Sequence, residues 1–398
     1  MKKILLTLSA VALLMGSVAA VQAQCPGCAG AGVSGYLAPN FRMIDKGEDN
    51  NANMGFGMAF NRFRFSGTAE CGPIVKKVGY RVEVDASNPQ EIDLQDVFVQ
   101  PHFNDLLSFR MGRFKKAFGR ELLHPTAKLM TVDRHAPSSH LAALHYGDFD
   151  TGLELIASDP KFMITAGAYA GGKYAPKHAG GQDPAIDLGA RAIFKPMPDL
   201  EIGANAMMVA LPGVYEMVSG DDTPEDTSDD VYMWNYAFNA GVYADDTALY
   251  QSNSGMAFGF DLDYQKQFNE KMGLWLQAEM GMGDNWMLSP KDAKAEDTWE
   301  DYSWYGFMYY GVKAIFMVTP QFGVHLGYSA WDPNTDSDAG KNDAHSMITP
   351  GIVYKWCKAT RTQFEVQMVT QQNGVDSEGK NLDDDSYTHF VLQQVFTW

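Results

Sequence analysis

Apolar and polar residues alternate with a period of two along most of the chain after residue 30. Between residues 77 and 85, valine or tyrosine at the even positions alternates with lysine, glycine, arginine, glutamate and aspartate at the odd positions. The same alternation runs through 186–194, 258–265 and 272–282. A strand with two different faces has this period, whereas an amphipathic helix repeats every 3.6 residues. Runs of about ten such residues are typical of tilted strands that cross a bilayer.

The connectors between these segments are of two kinds, which alternate along the chain. Short turns occupy 102–105, 158–161, 195–199 and 319–321, and long polar segments occupy 115–149, 211–253, 284–302, 331–345 and 371–386. Short periplasmic turns and long extracellular loops are characteristic of transmembrane β-barrels. We therefore predict an all-β protein whose residues 31–398 form one transmembrane antiparallel β-barrel with both termini in the periplasm. The sixteen predicted strands are 31–43, 55–69, 75–85, 92–101, 105–114, 150–158, 161–170, 185–194, 199–210, 254–266, 271–283, 303–317, 321–330, 346–357, 360–370 and 387–398.

The predicted strand 55–69 contains a change of phase. Its apolar positions move from Phe56, Met58 and Phe60 to Phe63 and Phe65. One extra residue in a strand produces such a shift, so we predict a β-bulge here.

The N-terminus has the pattern of a secretory signal peptide. Lys2 and Lys3 precede an apolar run over 4–15, and small residues at 21–23 offer a cleavage site. We therefore predict that residues 1–23 are a signal peptide and that 24–30 form a short periplasmic segment. Gln24 before Cys25 argues against a lipoprotein anchor, and no run of about 18 apolar residues predicts a membrane-spanning helix.

The last predicted strand alternates up to the final residue, with Phe390, Leu392, Phe396 and Trp398 in one phase. An aromatic residue that closes such a strand is similar to the signal read by the outer-membrane barrel-assembly machinery. Phe396 and Trp398 are the candidate signal, and the outer membrane of a bacterial cell, with its lipid and lipopolysaccharide, is the expected location. The alternative interpretation is an edge strand of a secreted β-sandwich.

Composition excludes two classes of protein. With 45% hydrophobic and 12% aromatic residues, the chain of 398 residues is not intrinsically disordered. Its net charge is −18, and it becomes −20 when the two signal-peptide lysines are removed, so nucleic acid is an unsuitable partner. The 22 methionines and the many aromatic residues are enough to cover a large lipid-facing surface.

Residues 107–121 carry a motif. An alternating strand runs into Gly112, Arg113, Phe114 and Lys115, and the turn that follows holds Phe118, Gly119 and Glu121. This stretch resembles the phosphate-selective porin O and P family, although Ala117 stands where the family usually has proline. Weaker similarities lie at 189–191 and 255–263. The resemblance implies a homotrimeric, sixteen-stranded porin, and because the family is broad it does not by itself make phosphate the substrate.

The connector 115–149 is the predicted third extracellular loop, which in general porins folds inward to constrict the channel. Up to residue 147 it has five cations against two acids. Cations at a narrow, low-dielectric site favour anions, and arginine adds a bidentate fork for oxyanions. The candidate constriction residues are Lys115, Lys116, Arg120, Lys128 and Arg134. Wall arginines in the lumen phase form a candidate basic stripe of Arg62, Arg64, Arg81, Arg110 and Arg191.

Two alternatives to this anion site remain open. The loop cations could pair with acids on the barrel wall or lie outside the lumen, which would leave a nearly unselective pore. The candidate wall acids are Glu83, Glu201, Asp261, Asp263, Glu279 and Glu365.

Residue types that bind metals occur in several places, but their spacing fits no ligand motif. Four of the nine histidines lie in the same connector, at His124, His135, His140 and His145. The acidic segments 221–230 and 376–385 lack the calcium-loop spacing. We interpret them as solvated external loops, with divalent bridging to lipopolysaccharide as the alternative, and predict no metal and no cofactor.

The four cysteines are expected on the periplasmic side of this topology, where disulfides persist. They are Cys25 and Cys28 before the first strand and Cys71 and Cys357 in turns. We predict two disulfides that tie the N-terminal segment to the barrel, with three possible connectivities and a metal clip as the alternative. Ala29 follows Cys28 where histidine would be needed, which excludes covalent c-type haem.

Enzymatic motifs such as a nucleophile elbow or a phosphate-cradling loop do not occur. His135, Ser138, Ser139 and Asp133 could form a catalytic set on paper only. We therefore predict no enzyme but a water-filled channel for passive diffusion of small hydrophilic solutes and ions, with a preference for anions. The alternative is a structural or partner-bound barrel that does not conduct.

Overall fold

In the computed structural model, the described residues are 31–45, 53–88, 92–171, 186–211, 253–285, 305–335, 344–372 and 385–398, with four short strands between 216 and 248. Sixteen antiparallel strands form a closed barrel in which the last strand pairs with the first. The strands are β1 (Gly32–Asp45), β2 (Asn53–Glu70), β3 (Lys77–Asp85), β4 (Asp93–His102), β5 (Leu107–Lys115), β6 (Phe149–Asp159), β7 (Phe162–Tyr169), β8 (Asp187–Met197), β9 (Leu200–Leu211), β10 (Asn253–Gln267), β11 (Gly273–Asn285), β12 (Tyr305–Met317), β13 (Phe322–Asp332), β14 (His345–Cys357), β15 (Thr360–Gln371) and β16 (Asp385–Thr397).

The predicted barrel and its sixteen strands are confirmed, and every predicted strand end lies within three residues of the observed one. The predicted bulge in β2 is confirmed, but it lies before Phe60, whereas the apolar pattern placed the change of phase after Phe60. Ala38 pairs with Phe60 and Pro39 with Met58, so Ala59 is the extra residue.

The alternation along each strand separates a lumen face from an outer face. In β8, Asp187 and Arg191 are buried inside the barrel, whereas Leu188 and Phe194 are 47% and 54% exposed on the outside. Exposed leucine, isoleucine, valine, methionine and phenylalanine recur at the outward positions of neighbouring strands. An outer surface of this kind matches hydrocarbon, and closure of the barrel leaves no unpaired strand edge in the bilayer.

Short turns at one end of the barrel are closed by polar side chains. Asn104 Oδ1 accepts the N–H groups of Leu106 and Leu107 at 2.9 and 2.7 Å. Asn269 Oδ1 accepts those of Lys271 and Met272 at 2.8 and 2.9 Å. These Asx-type bonds satisfy backbone donors in turns too short for other partners.

The C-terminus completes the closure. Trp398 and Gly35 exchange two backbone hydrogen bonds of 3.0 and 3.2 Å, and the Trp398 ring lies 5.9 Å from that of Phe63. Both Phe396 and Trp398 remain partly exposed on the outer side. Within the described residues, no helix is long and apolar enough to span a membrane, a finding that does not bear on strands.

Several sequence predictions concern residues that the structure does not describe. The signal peptide, the N-terminal segment, Cys25, Cys28 and the segments 221–230 and 376–384 lie outside the described residues. Cys71 directly follows β2 and Cys357 ends β14, and both are exposed at the same end of the barrel. The disulfide pairing stays a prediction.

Candidate functional site in the barrel lumen

The connector between β5 and β6, residues 116–148, contacts the inward side of the barrel; we call it the inner segment. It contains α1 (Arg120–Leu123), a 3₁₀ turn (Thr126–Lys128) and α2 (Pro137–Ala143). Arg361 on β15 donates to the carbonyls of Ala127 and Leu129 at 2.8 and 2.7 Å. Arg42 on β1 forms a 2.8 Å ion pair with Asp133. The inner segment is therefore held by strands on both sides of the barrel seam.

An apolar cluster packs the inner segment against the wall of β5, β7, β9, β10, β12 and β13. Its side chains come from inward positions of these strands and from both ends of the segment: they are Phe114, Phe118, Leu122, Leu141, Leu144, Tyr146, Tyr169, Met207, Val209, Ala257, Phe307, Tyr309 and Trp331. The His140 ring stacks on Trp331 with centroids 4.7 Å apart. Burial of this many large side chains excludes water from that half of the lumen.

Most cations of the inner segment fasten it to wall acids or to its own backbone. Arg120 contacts Asp263 and Glu201, each at 2.7 Å, and Lys116 contacts Asp187 at 2.8 Å. Arg134 donates to the carbonyls of Glu121 and His124 at 2.8 and 2.7 Å.

A buried polar network lies beside Arg120. Glu121 accepts hydrogen bonds from Lys313 at 2.5 Å and from Gln277 at 2.8 Å, and its own N–H donates to Glu279 at 2.8 Å. Burial alone would raise the pKa of Glu121, but the charge and hydrogen bond of Lys313 together with other nearby cations such as Arg134 outweigh it and hold that pKa well below its usual range. Burial lowers the pKa of His135, next to this network, to about 4. Glu121 is therefore a carboxylate and His135 a neutral imidazole near pH 7.

The opposite side of the lumen is open and basic. A cavity of about 140 Å³ separates the inner segment from β1–β5, and we call it the constriction. Its charged lining consists of two carboxylates, Glu83 and Asp96, and five cations: Arg62, Arg64, Arg81, Arg110 and Lys115. Strand register produces this cluster, because Arg64 pairs with Glu83 across β2 and β3 while Arg110 follows on β5.

Carboxylates and aromatic rings orient the cations of the constriction. Arg64 contacts Glu83 at 2.5 Å, and Arg81 contacts Asp96 at 3.0 Å. The Arg110 guanidinium lies 4.9 and 5.3 Å from the ring centroids of Phe98 and Phe114. Cation–π stacking uses the face of the guanidinium, and the Arg110 edge binds Gln100 and Glu154, each at 3.2 Å.

A larger cavity of about 490 Å³ continues from the constriction toward the short turns, and we call it the vestibule. Arg110 and Lys115 line both cavities, and Arg191 lines the vestibule only. The structure thus brings four of the five wall arginines together with Lys115 and places Arg191 on a separate part of the path.

Comparison with known proteins identifies this architecture. The profile of the phosphate-selective porin O and P family matches residues 34–351.

The chain belongs to this family.

Solved structures of outer-membrane channels are similar in fold to this porin. The anion-selective porin from Comamonas acidovorans has a TM-score of 0.58 at 12% identity, over 92% of this chain and 99% of that one. The outer membrane channel DcaP of Acinetobacter baumannii has a TM-score of 0.59 at 12% identity, over 92% and 97%. The trimer form of OmpT from Vibrio cholerae has a TM-score of 0.53 at 11% identity, over 92% and 99%. No curated protein sequence matches the chain significantly.

Family and fold together show an outer-membrane protein of bacteria that forms a channel. They indicate a porin and not an enzyme. In the hypothetical catalytic set, the Asp133 carboxylate binds Arg42 and Gln367. Ser138 Oγ lies 3.3 Å from Nδ1 of His135, which precedes α2. The described residues contain no group of three or more histidine, cysteine, aspartate or glutamate side chains arranged to hold a metal.

The geometry of this porin corrects part of the predicted constriction set. Lys116, Arg120 and Arg134 do not line the constriction or the vestibule, because wall acids and backbone carbonyls bind them. Lys128 is exposed at the end of the 3₁₀ turn and lines neither cavity. Pairing with wall acids, the alternative considered from the sequence, therefore describes Lys116 and Arg120.

Sequence reasoning missed two groups of residues. Lys313, Gln277 and Glu121 form the network that holds the inner segment, and Phe98 orients two arginines. The sequence indicates only that Lys313 is a cation at a lumen-facing position of its strand.

Proposed function

We propose that this porin passes small hydrophilic solutes along the open side of its lumen with a preference for anions such as phosphate-like oxyanions. The observation that carries the proposal is the charge lining of the constriction, five cations against two carboxylates. The acids Asp261, Asp263 and Glu279 are buried under the inner segment on the other side. A permeating ion therefore meets the basic wall first.

Local charge governs this selectivity although the chain as a whole is acidic. Screening limits the reach of exposed charges to about 8 Å at physiological ionic strength. Within a narrow cavity with low-dielectric walls, field lines are focused and the concentration of counter-ions rises. The arginine forks add two parallel donors for an oxyanion, which chloride cannot use in the same way.

Neutralising the constriction should remove the anion preference. In the triple variant Arg64→Gln, Arg81→Gln, Lys115→Gln, we expect the reversal potential under a KCl gradient to move from the anion side to zero or to the cation side. The measurement uses refolded mature protein in planar bilayers, with phosphate added as a competitor for chloride current. Arg113→Gln is the matched control, because Arg113 lines neither cavity and binds the carbonyl of Leu94. An unchanged reversal potential in the triple variant would contradict the proposal.

We further propose that three copies assemble as a homotrimer, in line with the trimer form in which OmpT of Vibrio cholerae was solved. Light scattering of the detergent-solubilised porin tests this, and a monomer would contradict it. A second candidate function, a non-conducting structural barrel, has no specific observation in its favour.

We also propose that the C-terminal strand is read by the barrel-assembly machinery and that the outer surface then contacts lipid and lipopolysaccharide. Trp398 is 54% exposed on the outer side, so a receptor can reach it. Removal of Trp398 should lower the amount of porin inserted into outer membranes several-fold, while the purified variant still refolds in detergent. Equal insertion, measured by immunoblot of membrane fractions, would refute this role.

A further inference from the structure

The vestibule combines apolar and cationic lining in a way that passage of inorganic ions does not require. Ile156 and Met163 line it from inward positions of β6 and β7. Their sequence neighbours Leu155 and Ile164 are each 50% exposed on the outer side, so the inward direction of Ile156 and Met163 follows from the strand alternation. Lumen-facing positions of porin strands are ordinarily polar. Leu123 of the inner segment adds apolar surface from across the cavity.

The cation that lies beside these apolar side chains in the vestibule is Arg191. Its side chain is almost fully buried, and one terminal nitrogen contacts Asp261 at 2.7 Å. Among the described residues, the other terminal nitrogen, Nη1, has no hydrogen-bond partner. A buried donor without an acceptor is costly, so an acceptor brought by a ligand would be bound favourably there.

Strand register places these groups in one row. Ile156 pairs with Thr165, and Thr165 pairs with Arg191, so the three lie side by side on β6, β7 and β8. Neighbouring strands are about 4.8 Å apart, which separates Ile156 from Arg191 by about 10 Å at the backbone. A carboxylate at Arg191, with the Thr165 hydroxyl beside it, would direct a hydrocarbon body toward Ile156 and Met163. The cavity of about 490 Å³ has the volume of a typical small-molecule site.

We propose that the vestibule is a binding site for organic carboxylates with an apolar body of about the size of a benzene ring. The inference rests on the proposed anion path, because the carboxylate reaches Arg191 by way of the constriction. The inference adds a substrate class to the proposed function. Acetate and inorganic phosphate are also anions, but they have no apolar body that could pack against Ile156 and Met163. Arg191 supplies the anchor, and Ile156 and Met163 discriminate by the apolar area that the ligand removes from water.

Competition for chloride current in planar bilayers tests this site. Benzoate, acetate and inorganic phosphate are titrated separately against the KCl conductance, and the reversal potential under a KCl gradient is recorded on the same channels. We expect half-block by benzoate at a concentration about tenfold below that of acetate, since burial of a ring removes several CH groups from water. Phosphate is expected to block more weakly than benzoate.

Two variants separate the apolar part from the anchor. Ile156→Thr with Met163→Thr should raise the half-blocking benzoate concentration to about that of acetate, without a change in the reversal potential. Arg191→Gln should weaken the block by both carboxylates. Val353→Thr is the matched control, because Val353 is a buried residue of β14 outside the vestibule. Heat-modifiable migration on gels establishes that each variant has folded.

The outcomes distinguish this inference from the proposed function. Equal block by benzoate and acetate, stronger block by phosphate, or a benzoate preference that survives the double threonine variant would overturn the vestibule site. In each of these cases an anion-favouring reversal potential would leave the proposed anion preference intact. A cation-favouring reversal potential in the wild-type porin would instead contradict the proposed function.

Discussion

Replacing Lys313 with methionine should release the inner segment from the wall and lower the single-channel conductance several-fold. Lys313 is the cation that contacts the fully buried Glu121 carboxylate, at 2.5 Å, and it also donates to Thr131 at 3.0 Å. Removing one partner of a buried ion pair leaves the other charge without compensation, at a cost of about 3–5 kcal/mol. Movement of α1 away from the wall would relieve that cost because Glu121 could then reach water. Because the constriction lies on the opposite side of the segment, toward β1–β5, the same movement would narrow it.

The measurement is single-channel conductance together with the thermal unfolding temperature in detergent. Lys266→Met is the matched control: Lys266 contacts Asp199 at 2.6 Å, but this pair is partly exposed and outside the inner segment. Exposed pairs contribute about 0–1 kcal/mol, so the control should conduct like the wild type. The double variant Lys313→Met, Glu121→Gln should regain part of the lost stability, because no uncompensated charge remains. Wild-type conductance and stability in Lys313→Met would show that this pair does not hold the segment.

The acid dependence of the same contact has a definite sign. The folded-state pKa of Glu121 is held below its usual range. The contact therefore stabilises the fold at every pH above the usual pKa range of a carboxyl group. That contribution is lost only as pH falls through the lower, folded-state pKa. Fastening of the inner segment by Glu121 is therefore expected to persist through mildly acidic conditions.

The barrel could be predicted from the sequence because its signal is local and repeats. Each strand alternates every two residues, and connector length reports on which end a turn lies. The same alternation identified Arg62, Arg64, Arg81 and Arg110 as lumen residues, and register brings those four to one cavity. Residue phase is enough for this grouping because the strands are consecutive.

Contacts of the inner segment could not be predicted, since they join residues far apart in the chain. Lys116 meets Asp187 and Arg120 meets Asp263, and no spacing in the sequence indicates either partner. Charge alone suggested that these cations face the pore. Whether a cation is free or compensated depends on where the wall acids lie in three dimensions, and the acids here lie where the segment folds against them.

The aromatic side chains of the wall that pack against the inner segment could not be predicted, for a different reason. In β12, Phe307 and Tyr309 face inward and are buried, while Met308 and Tyr310 face outward. Both phases are therefore apolar, and the alternation that separates lumen from lipid disappears locally. A segment with two apolar faces can still be identified as a strand. The sequence does not show which residue covers its inward face; in the structure the Tyr146 ring does so, with its centroid 5.6 Å from that of Phe307.

Substitution of Gly112 by alanine should severely reduce the yield of folded porin. Gly112 has φ +127°, a conformation that residues with a Cβ rarely adopt, and an added Cβ would overlap the carbonyl oxygen of Val97. The backbone conformation alone costs about 1–3 kcal/mol. The clash is with backbone of the adjacent strand β4, so a side-chain rotation cannot relieve it, and the β4–β5 pairing must open.

The measurement is the fraction of heat-modifiable, folded barrel after refolding into lipid. Gly79→Ala on β3 is the matched control, because its added Cβ would make only ordinary contacts, the nearest at 3.7 Å. Refolding of Gly112→Ala to the wild-type fraction would refute the expected strain. Any barrel that does form should also lose anion preference, because opening at Gly112 displaces its register partner Phe98, on which the Arg81 and Arg110 guanidinium groups stack. The glycine of the motif thus couples assembly of the wall to the placement of its charges.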